Sequence, residues 1–275
     1  MIPDLNAPGT LEKWRRLEHA KHRVIYSVKK LKIPLKSKRE DPIEGLEFDF
    51  LSDEIGGSEP VMTGHANGVV TINIDEADPA EREVRRVQMG EKYRTLIGHV
   101  RHEIGHFYWD RLVRDSGETL KKFRTLFGDE RADYGEALSE YHDNGPPADW
   151  AEHFVSEYSS AHPWEDWAET WAHYFHLVDS LETAYSFNLQ LNPKGVGDLP
   201  WSLKCDFDPY LSGDIQKTLD SSRVLAYAVN SLNRSMGQPD LYPFVIPPEA
   251  VEKLKFIHEV IRNASTEGAA EVTEN

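Results

Sequence analysis

The stretch that decides the fold is Gly98-His99-Val100-Arg101-His102-Glu103-Ile104-Gly105-His106-Phe107, which contains the pattern His-Glu-x-x-His. On a helix of 3.6 residues per turn, His102 and His106 lie one above the other on the same face. Two imidazoles in this arrangement can bind one Zn²⁺ ion. Glu103 lies beside them, where it can take a proton from a water molecule held by such a metal.

The residues around the motif favour a functional helix over a coincidence. The pattern arises by chance in roughly one of twenty chains of this composition, and it would then mark two idle histidines. Here the apolar residues gather on the side opposite the two histidines: Leu96, Ile97, Val100, Ile104, Phe107 and Tyr108. Gly98 and Gly105 lie in register on one flank, and glycine inside a helix costs about 1 kcal/mol relative to alanine. We therefore expect another element to pack closely there, and we interpret His99 as a neighbour rather than a ligand.

A second, aromatic helix offers a third ligand. Pro163 suits the first helical position, and Glu165 then falls in the first turn, where the helix dipole favours a carboxylate. One stripe of this predicted helix is polar: Glu165, Glu169, His173 and His176. The opposite stripe is apolar: Trp164, Trp167, Trp171, Tyr174, Phe175 and Val178. A solvated helix face with ordinary ion pairs is the alternative explanation. Glu165 and His176 would be about 16 Å apart, so one metal cannot contact both.

At this point the sequence resembles a known group of enzymes. The pattern His102-Glu103-x-x-His106, followed by Glu165-x-x-x-Glu169, is similar to that of the gluzincin branch of zinc metallopeptidases. The run 165–169 resembles the corresponding run of the anthrax lethal factor-like peptidases. The stretches 101–112 and 162–169 together more closely resemble a bacterial family of zinc-binding metallopeptidases, many of which carry an N-terminal zinc ribbon. The resemblance covers roughly residues 11–191.

This resemblance implies a role for each motif residue. His102, His106 and Glu165 would bind one zinc ion per chain, and Glu103 would be the general base. Glu169 would accept an imidazole N–H from a ligand histidine, which fixes the ring. By the lethal factor pattern, Tyr158 would help to stabilise the oxyanion.

Two further histidines are candidates for supporting roles at the same site. His162 and His173 could assist the ligands or the oxyanion, and they are the next candidates as ligands together with Glu169. The chain departs from the family pattern in two ways. It has no zinc ribbon, since Cys205 is its single cysteine, and 58 residues separate His106 from Glu165.

Composition limits the class of protein. The chain has 275 residues, of which 39% are hydrophobic and 28% charged, with a net charge of −16. These values are ordinary for a globular protein. A single cysteine excludes an intramolecular disulfide and fits a reducing cytoplasm, and neither a signal core nor a membrane span is evident. Residues 1–40 carry a net charge of +7. We interpret their basic stretch, 13–39, as a solvated helix face docked on the acidic body, with contact to an acidic partner or nucleic acid as the less favoured alternative.

The remaining pattern predicts a mostly helical α+β fold. Residues 46–50 and 68–75 show the character of strands, and we expect them to pair antiparallel. By the zincin resemblance, the second of them would be the edge strand over the cleft. We predict one two-lobed zincin-like domain over residues 1–263, with an upper lobe of about 1–114, a lower helical lobe of about 115–263 and a disordered tail, 264–275.

The predicted function is zinc-dependent hydrolysis of peptide bonds in a peptide or protein substrate. Glu103 would act as general base toward a zinc-activated water. Three alternatives stay open: a zinc hydrolase of a non-peptide amide, a non-catalytic zincin-fold binding module, and a helical protein with a chance motif. No membrane partner is expected, nucleic acid is disfavoured, and the sequence leaves the oligomeric state open.

Overall fold

The architecture is a set of helices around one central helix, with a small sheet on one side. The computed structural model describes residues 1–53, 61–88, 91–194 and 201–273. The helices within these residues are α1 (Thr10–Lys30), α2 (Pro79–Gln88), α3 (Leu96–Leu112), α4 (Gly117–Phe127), α5 (Tyr134–Asn144), α6 (Trp150–His153), α7 (Pro163–Ser186), α8 (Ile215–Ser235) and α9 (Pro248–Thr273). The strands are β1 (Glu47–Leu51), β2 (Gly64–Ala66), β3 (Val69–Asn73), β4 (Gln190–Leu191) and β5 (Leu203–Lys204). The prediction of a mostly helical α+β fold is confirmed.

The three-stranded sheet corrects the predicted strand pairing. The strand order is β1-β3-β2, and β1 and β3 are parallel rather than antiparallel. The missed strand β2 pairs antiparallel with β3 through a tight turn at Asn67 and Gly68, whose φ angles are 50° and 82°. Positive φ at both turn residues is the geometry that Asn-Gly favours in hairpins. As a result β3 is central, not the edge strand that the zincin resemblance implied, and β2 is an edge strand of this sheet.

The helix α3 begins and packs as its sequence predicts. The Thr95 hydroxyl accepts a hydrogen bond from Gly98 N–H at 3.1 Å and caps the first turn. At Gly105 the neighbouring helix α7 comes so close that a Cβ atom would lie 3.0 Å from Ala168 Cα. The Trp167 indole N–H donates to the Gly105 carbonyl at 2.8 Å. The expected close approach at Gly105 is confirmed, whereas a Cβ at Gly98 would mainly meet the capping Thr95 hydroxyl of its own helix.

The helix α7 is buried on both of its predicted faces. Its apolar stripe enters the main hydrophobic core, which also contains residues of α1, β1, β3, α3, α4 and α9. The polar stripe is buried too: Glu165 is 1% exposed and His173 is 3% exposed. The alternative of a solvated face is therefore wrong for this helix, because other helices and the turn Tyr158–Ser160 pack around it.

The helix α6 is short, whereas the last helix, α9, is long. The helix α6 ends at His153, and a 3₁₀ turn follows at Tyr158–Ser160. The last helix continues to Thr273, beyond residue 263, where the sequence predicted that ordered structure ends. Within the described ranges, no helix combines the length and the apolar character that crossing a bilayer requires.

We expect Gly105→Ala to lower the free energy of unfolding by about 1–3 kcal/mol, because a methyl group would press on the backbone of α7. Helix propensity alone would favour alanine over glycine by about 1 kcal/mol. A fall in the free energy of unfolding therefore indicates the close packing, and a rise would indicate helix propensity. Gly117→Ala, at the first residue of α4, is the control, because its added Cβ would meet no atom of another element within 4 Å. Urea unfolding measures both, and a Gly105→Ala protein as stable as the parent would contradict the packing argument.

Candidate metal centre and cleft

Three side chains from α3 and α7 place their donor atoms together. His102 Nε2 lies 3.1 Å from His106 Nε2 and 3.0 Å from Glu165 Oε2. His106 Nε2 lies 3.5 Å from Glu165 Oε1. The donor atoms of these three residues are all within 4.8 Å of one another, and no second such group occurs in the part of the chain that the structure describes. The two histidines four residues apart on α3 and the carboxylate in the first turn of α7 therefore come together at one point.

A chain of hydrogen bonds orients His102. The Glu169 carboxylate can only accept, so His102 Nδ1–H donates to its Oε1 atom at 2.8 Å and Nε2 faces the other donor atoms. The Ser156 hydroxyl donates to Glu169 Oε2 at 2.7 Å and accepts from Ser159 N–H at 3.2 Å. Both carboxylate oxygens of Glu169 are thus engaged. The predicted contact between Glu169 and a motif histidine is present.

Opposite charges balance this buried cluster. Burial raises the pKa of Glu169, but hydrogen bonds from His102 and Ser156 together with the charge of His102 hold that pKa at about 2. Burial lowers the pKa of His102, but the neighbouring carboxylates of Glu165 and Glu169 raise it well above its ordinary value. A metal at Nε2 would therefore displace a proton from this imidazole.

Glu103 lies beside the donor group without belonging to it. The side chain is 8% exposed, and its Oε2 atom is buried without a hydrogen-bond partner. Burial raises the pKa of Glu103, while charge on His102 and His106 opposes the rise. A carboxylate with an uncommitted oxygen and a raised pKa suits proton transfer better than structural support.

These residues form the floor of a cleft of about 500 Å³. The edge strand β2 and its neighbours Thr63 and Asn67 form one side. Aromatic side chains that line the rest are Trp109, Tyr134, Tyr158 and Trp164. The Tyr158 ring lies 6.0 Å from the His102 ring, and burial raises the pKa of its hydroxyl, which therefore keeps its proton. Tyr158 thus lies in the cleft.

The donor group fits a zinc ion. Atoms bound at about 2.0–2.1 Å to a tetrahedral ion lie about 3.3 Å apart. The two imidazole nitrogens are 3.1 Å apart, His102 Nε2 lies 3.0 Å from Glu165 Oε2, and His106 Nε2 lies 3.5 Å from Glu165 Oε1. Glu165 Oε2 is buried without a hydrogen bond, as an oxygen reserved for a metal would be. Two imidazole nitrogens and one carboxylate oxygen are a ligand set of catalytic zinc sites, which leave the fourth position open.

Comparison with known proteins agrees with this donor set. The sequence profile of a family described as "Putative zinc-binding metallo-peptidase" matches residues 10–260. The chain belongs to this zinc-binding metallopeptidase family. Uncharacterized proteins of Mycobacterium tuberculosis and Mycobacterium bovis are 43% identical to it over 258 residues, which are 94% of this chain and 72% of each relative. No solved structure matches the chain.

The two additional histidines have structural partners. His162 precedes α7, its Nδ1 accepts from Trp164 N–H at 3.1 Å, and its Nε2 donates to the Ala132 carbonyl at 3.2 Å. Both ring nitrogens are therefore occupied away from the donor atoms. His173 bonds the Tyr242 hydroxyl at 2.7 Å, and burial lowers its pKa to about 4. Neither lines the cleft, so a direct role on the metal or the oxyanion is not supported for either residue.

Sequence reasoning missed three contributors to the site. The Tyr134 hydroxyl donates to Glu165 Oε1 at 2.7 Å, and Ser156 supports Glu169 as described above. Neither carries a local signal, because both come from the insertion between α3 and α7. His65 on β2 lines the cleft, and burial lowers its pKa to about 4. The Asn67-Gly68 dipeptide was the available signal for the hairpin that places His65 there.

We expect Glu165→Ala to abolish stoichiometric zinc binding, because it removes one of the three clustered donor groups. Zinc per chain is measured by mass spectrometry after dialysis against a buffer that contains only trace zinc. Glu152→Ala, on the exposed face of α6, is the control and should keep the parental zinc content. If Glu165→Ala kept the zinc content of the parent protein, the third ligand would have to be another residue.

Proposed function

We propose that the protein is a zinc-dependent peptidase of the gluzincin type. His102, His106 and Glu165 would bind the zinc ion, and Glu103 would serve as general base. The observation that carries this proposal is the convergence of the three donor groups within 4.8 Å at the floor of a cleft. Membership in a zinc-binding metallopeptidase family supports it. The two-lobed zincin arrangement, divided near residue 114, is part of the proposal.

Proton transfer is assigned to Glu103. A bound zinc ion supplies a Lewis acid that lowers the pKa of a water molecule and polarises the scissile carbonyl. Glu103 takes a proton from the attacking water and delivers it to the leaving amine. Its free Oε2 atom and its raised pKa suit both steps, since the group must accept and then release one proton.

The cleft favours an extended peptide over other amides. Within the described part of the sheet, β2 is an edge strand, and it lines the cleft beside the donor group. An edge strand offers unpaired N–H and C=O groups to which a peptide can add as a further strand. Such binding depends on main-chain atoms and requires little of the substrate's sequence. Proteins or peptides with an accessible extended segment are therefore the proposed substrates.

The environment of Glu103 also favours an enzyme over a non-catalytic binding module. A module that uses only the edge strand has no need of a buried carboxylate with a free oxygen next to three donor groups. A burial of this kind is unfavourable unless the group has a function that requires it.

We expect Glu103→Gln to keep zinc and to lower peptidase activity at least about 100-fold, because the amide cannot accept a proton. Cleavage of an unstructured protein and of a mixed peptide library, read by mass spectrometry, measures the activity. Glu152→Gln serves as the control for a surface change of the same kind. Full activity in Glu103→Gln would refute the assignment of the base, and a zinc-loaded parent that cleaves no peptide would favour the other amide hydrolase or the binding module.

We expect Tyr158→Phe to lower kcat about 10- to 1000-fold with little change in KM, because one oxyanion donor is lost while the peptide's main-chain contacts remain. Steady-state kinetics on a peptide identified in the library screen measure both constants. An unchanged kcat would assign Tyr158 to packing, where its ring contacts Tyr141 at 5.7 Å.

A further inference from the structure

A tyrosine from the insertion contacts a proposed zinc ligand directly. Tyr134 is the first residue of α5, and its hydroxyl donates to Glu165 Oε1 at 2.7 Å. Its ring is partly exposed in the cleft, so the contact joins the cleft wall to the donor group.

Several neighbouring contacts hold Tyr134 in this position. The Asp133 carboxylate caps α5 by accepting from Glu136 N–H at 2.8 Å. Before Tyr134 in the chain, the Ala132 carbonyl accepts a hydrogen bond from His162 Nε2–H at 3.2 Å. The Tyr134 ring packs edge-on against the His162 ring, with 5.2 Å between centroids. The hydroxyl is thus directed by a fixed backbone on both sides of the residue.

The contact makes the two oxygens of Glu165 inequivalent. Oε1 accepts the Tyr134 hydroxyl and lies 3.5 Å from His106 Nε2, whereas Oε2 is buried without a hydrogen bond and lies 3.0 Å from His102 Nε2. A carboxylate with both oxygens free can rotate or bind a metal through either oxygen or through both. With Oε1 engaged, the side chain keeps one orientation.

We propose that Tyr134 is a positioning residue that holds the Glu165 carboxylate in one orientation toward His102 and His106. The inference rests on the proposed zinc site. It gives the insertion a function, because α5 carries the residue that completes the metal centre. It also gives His162 an indirect one, since its bond to Ala132 holds the backbone next to Tyr134.

The two cleft tyrosines are thereby assigned different tasks. Tyr134 bonds a ligand carboxylate, so its loss should weaken metal binding. Tyr158 packs near the His102 ring, so its loss should reduce turnover and leave metal affinity intact.

The test compares Tyr134→Phe with Tyr141→Phe, a tyrosine two turns further along α5. Tyr141 contacts the Tyr158 ring, and no bond from it to Glu165 occurs in the described structure. Zinc dissociation constants are measured by competition with a chromophoric chelator. We expect affinity to fall about 10- to 100-fold in Tyr134→Phe and to stay within twofold in Tyr141→Phe, as for other partners of metal ligands. The absorption spectrum of the Co²⁺-substituted protein should change in Tyr134→Phe alone.

The outcomes separate this inference from the proposed function. Parental zinc affinity and an unchanged Co²⁺ spectrum in Tyr134→Phe would refute the positioning role and leave the zinc site standing. An equal loss of affinity in both variants would assign the effect to general disturbance of α5 and would also refute it. A parent protein that binds no zinc would refute the proposed function and this inference with it.

Discussion

The close contact between α3 and α7 is the constraint on which the rest of the structure depends. At Gly105 the absence of a side chain lets the backbone of Ala168 approach, and Trp167 bonds the Gly105 carbonyl across the contact. A larger residue would separate the helices by more than the site tolerates, because ligand geometry must be held within about 0.5 Å. The same contact brings the first turn of α7 against the His-Glu-x-x-His face, so packing and chemistry are set by one interface.

The burial of most of α7 requires its buried charged residues to be paired. Asp166, next to Glu165, contacts Lys253 of α9 at 2.7 Å, and Lys253 also donates to the His153 carbonyl. Further along, Asp179 pairs with Arg101 of α3 and accepts the Ser27 hydroxyl at 2.8 Å. Unpaired buried charges would be strongly destabilising, so these partners limit α7 to one position. The polar stripe thus fixes the register of the helix as well as supplying a ligand and its hydrogen-bonded support.

The basic N-terminal segment is explained in part by the same network. Arg23 of α1 lies 3.3 Å from Glu182 and 3.7 Å from Asp179, and Lys13 contacts Asp75 at 2.7 Å. Part of the positive charge near the N-terminus therefore lies against acidic residues of the remaining chain, in line with a helix face docked on an acidic body. The contacts of Arg23 join α1 to the end of α7 that lies away from the donor group.

Local sequence determined the elements that carry periodic or capping signals, and with them the donor set. The spacing of His102 and His106, Pro163 at the start of α7 and the carboxylate in its first turn are short-range features, so helix geometry alone predicts where their side chains point. Tertiary structure decided the parallel pairing of β1 with β3, the burial of the polar stripe, and the contacts of Tyr134 and Ser156 with the two carboxylates. Those contacts join residues that are 31 and 13 positions apart, respectively. No local pattern specifies such pairs, because they exist only once the insertion has folded back over α7.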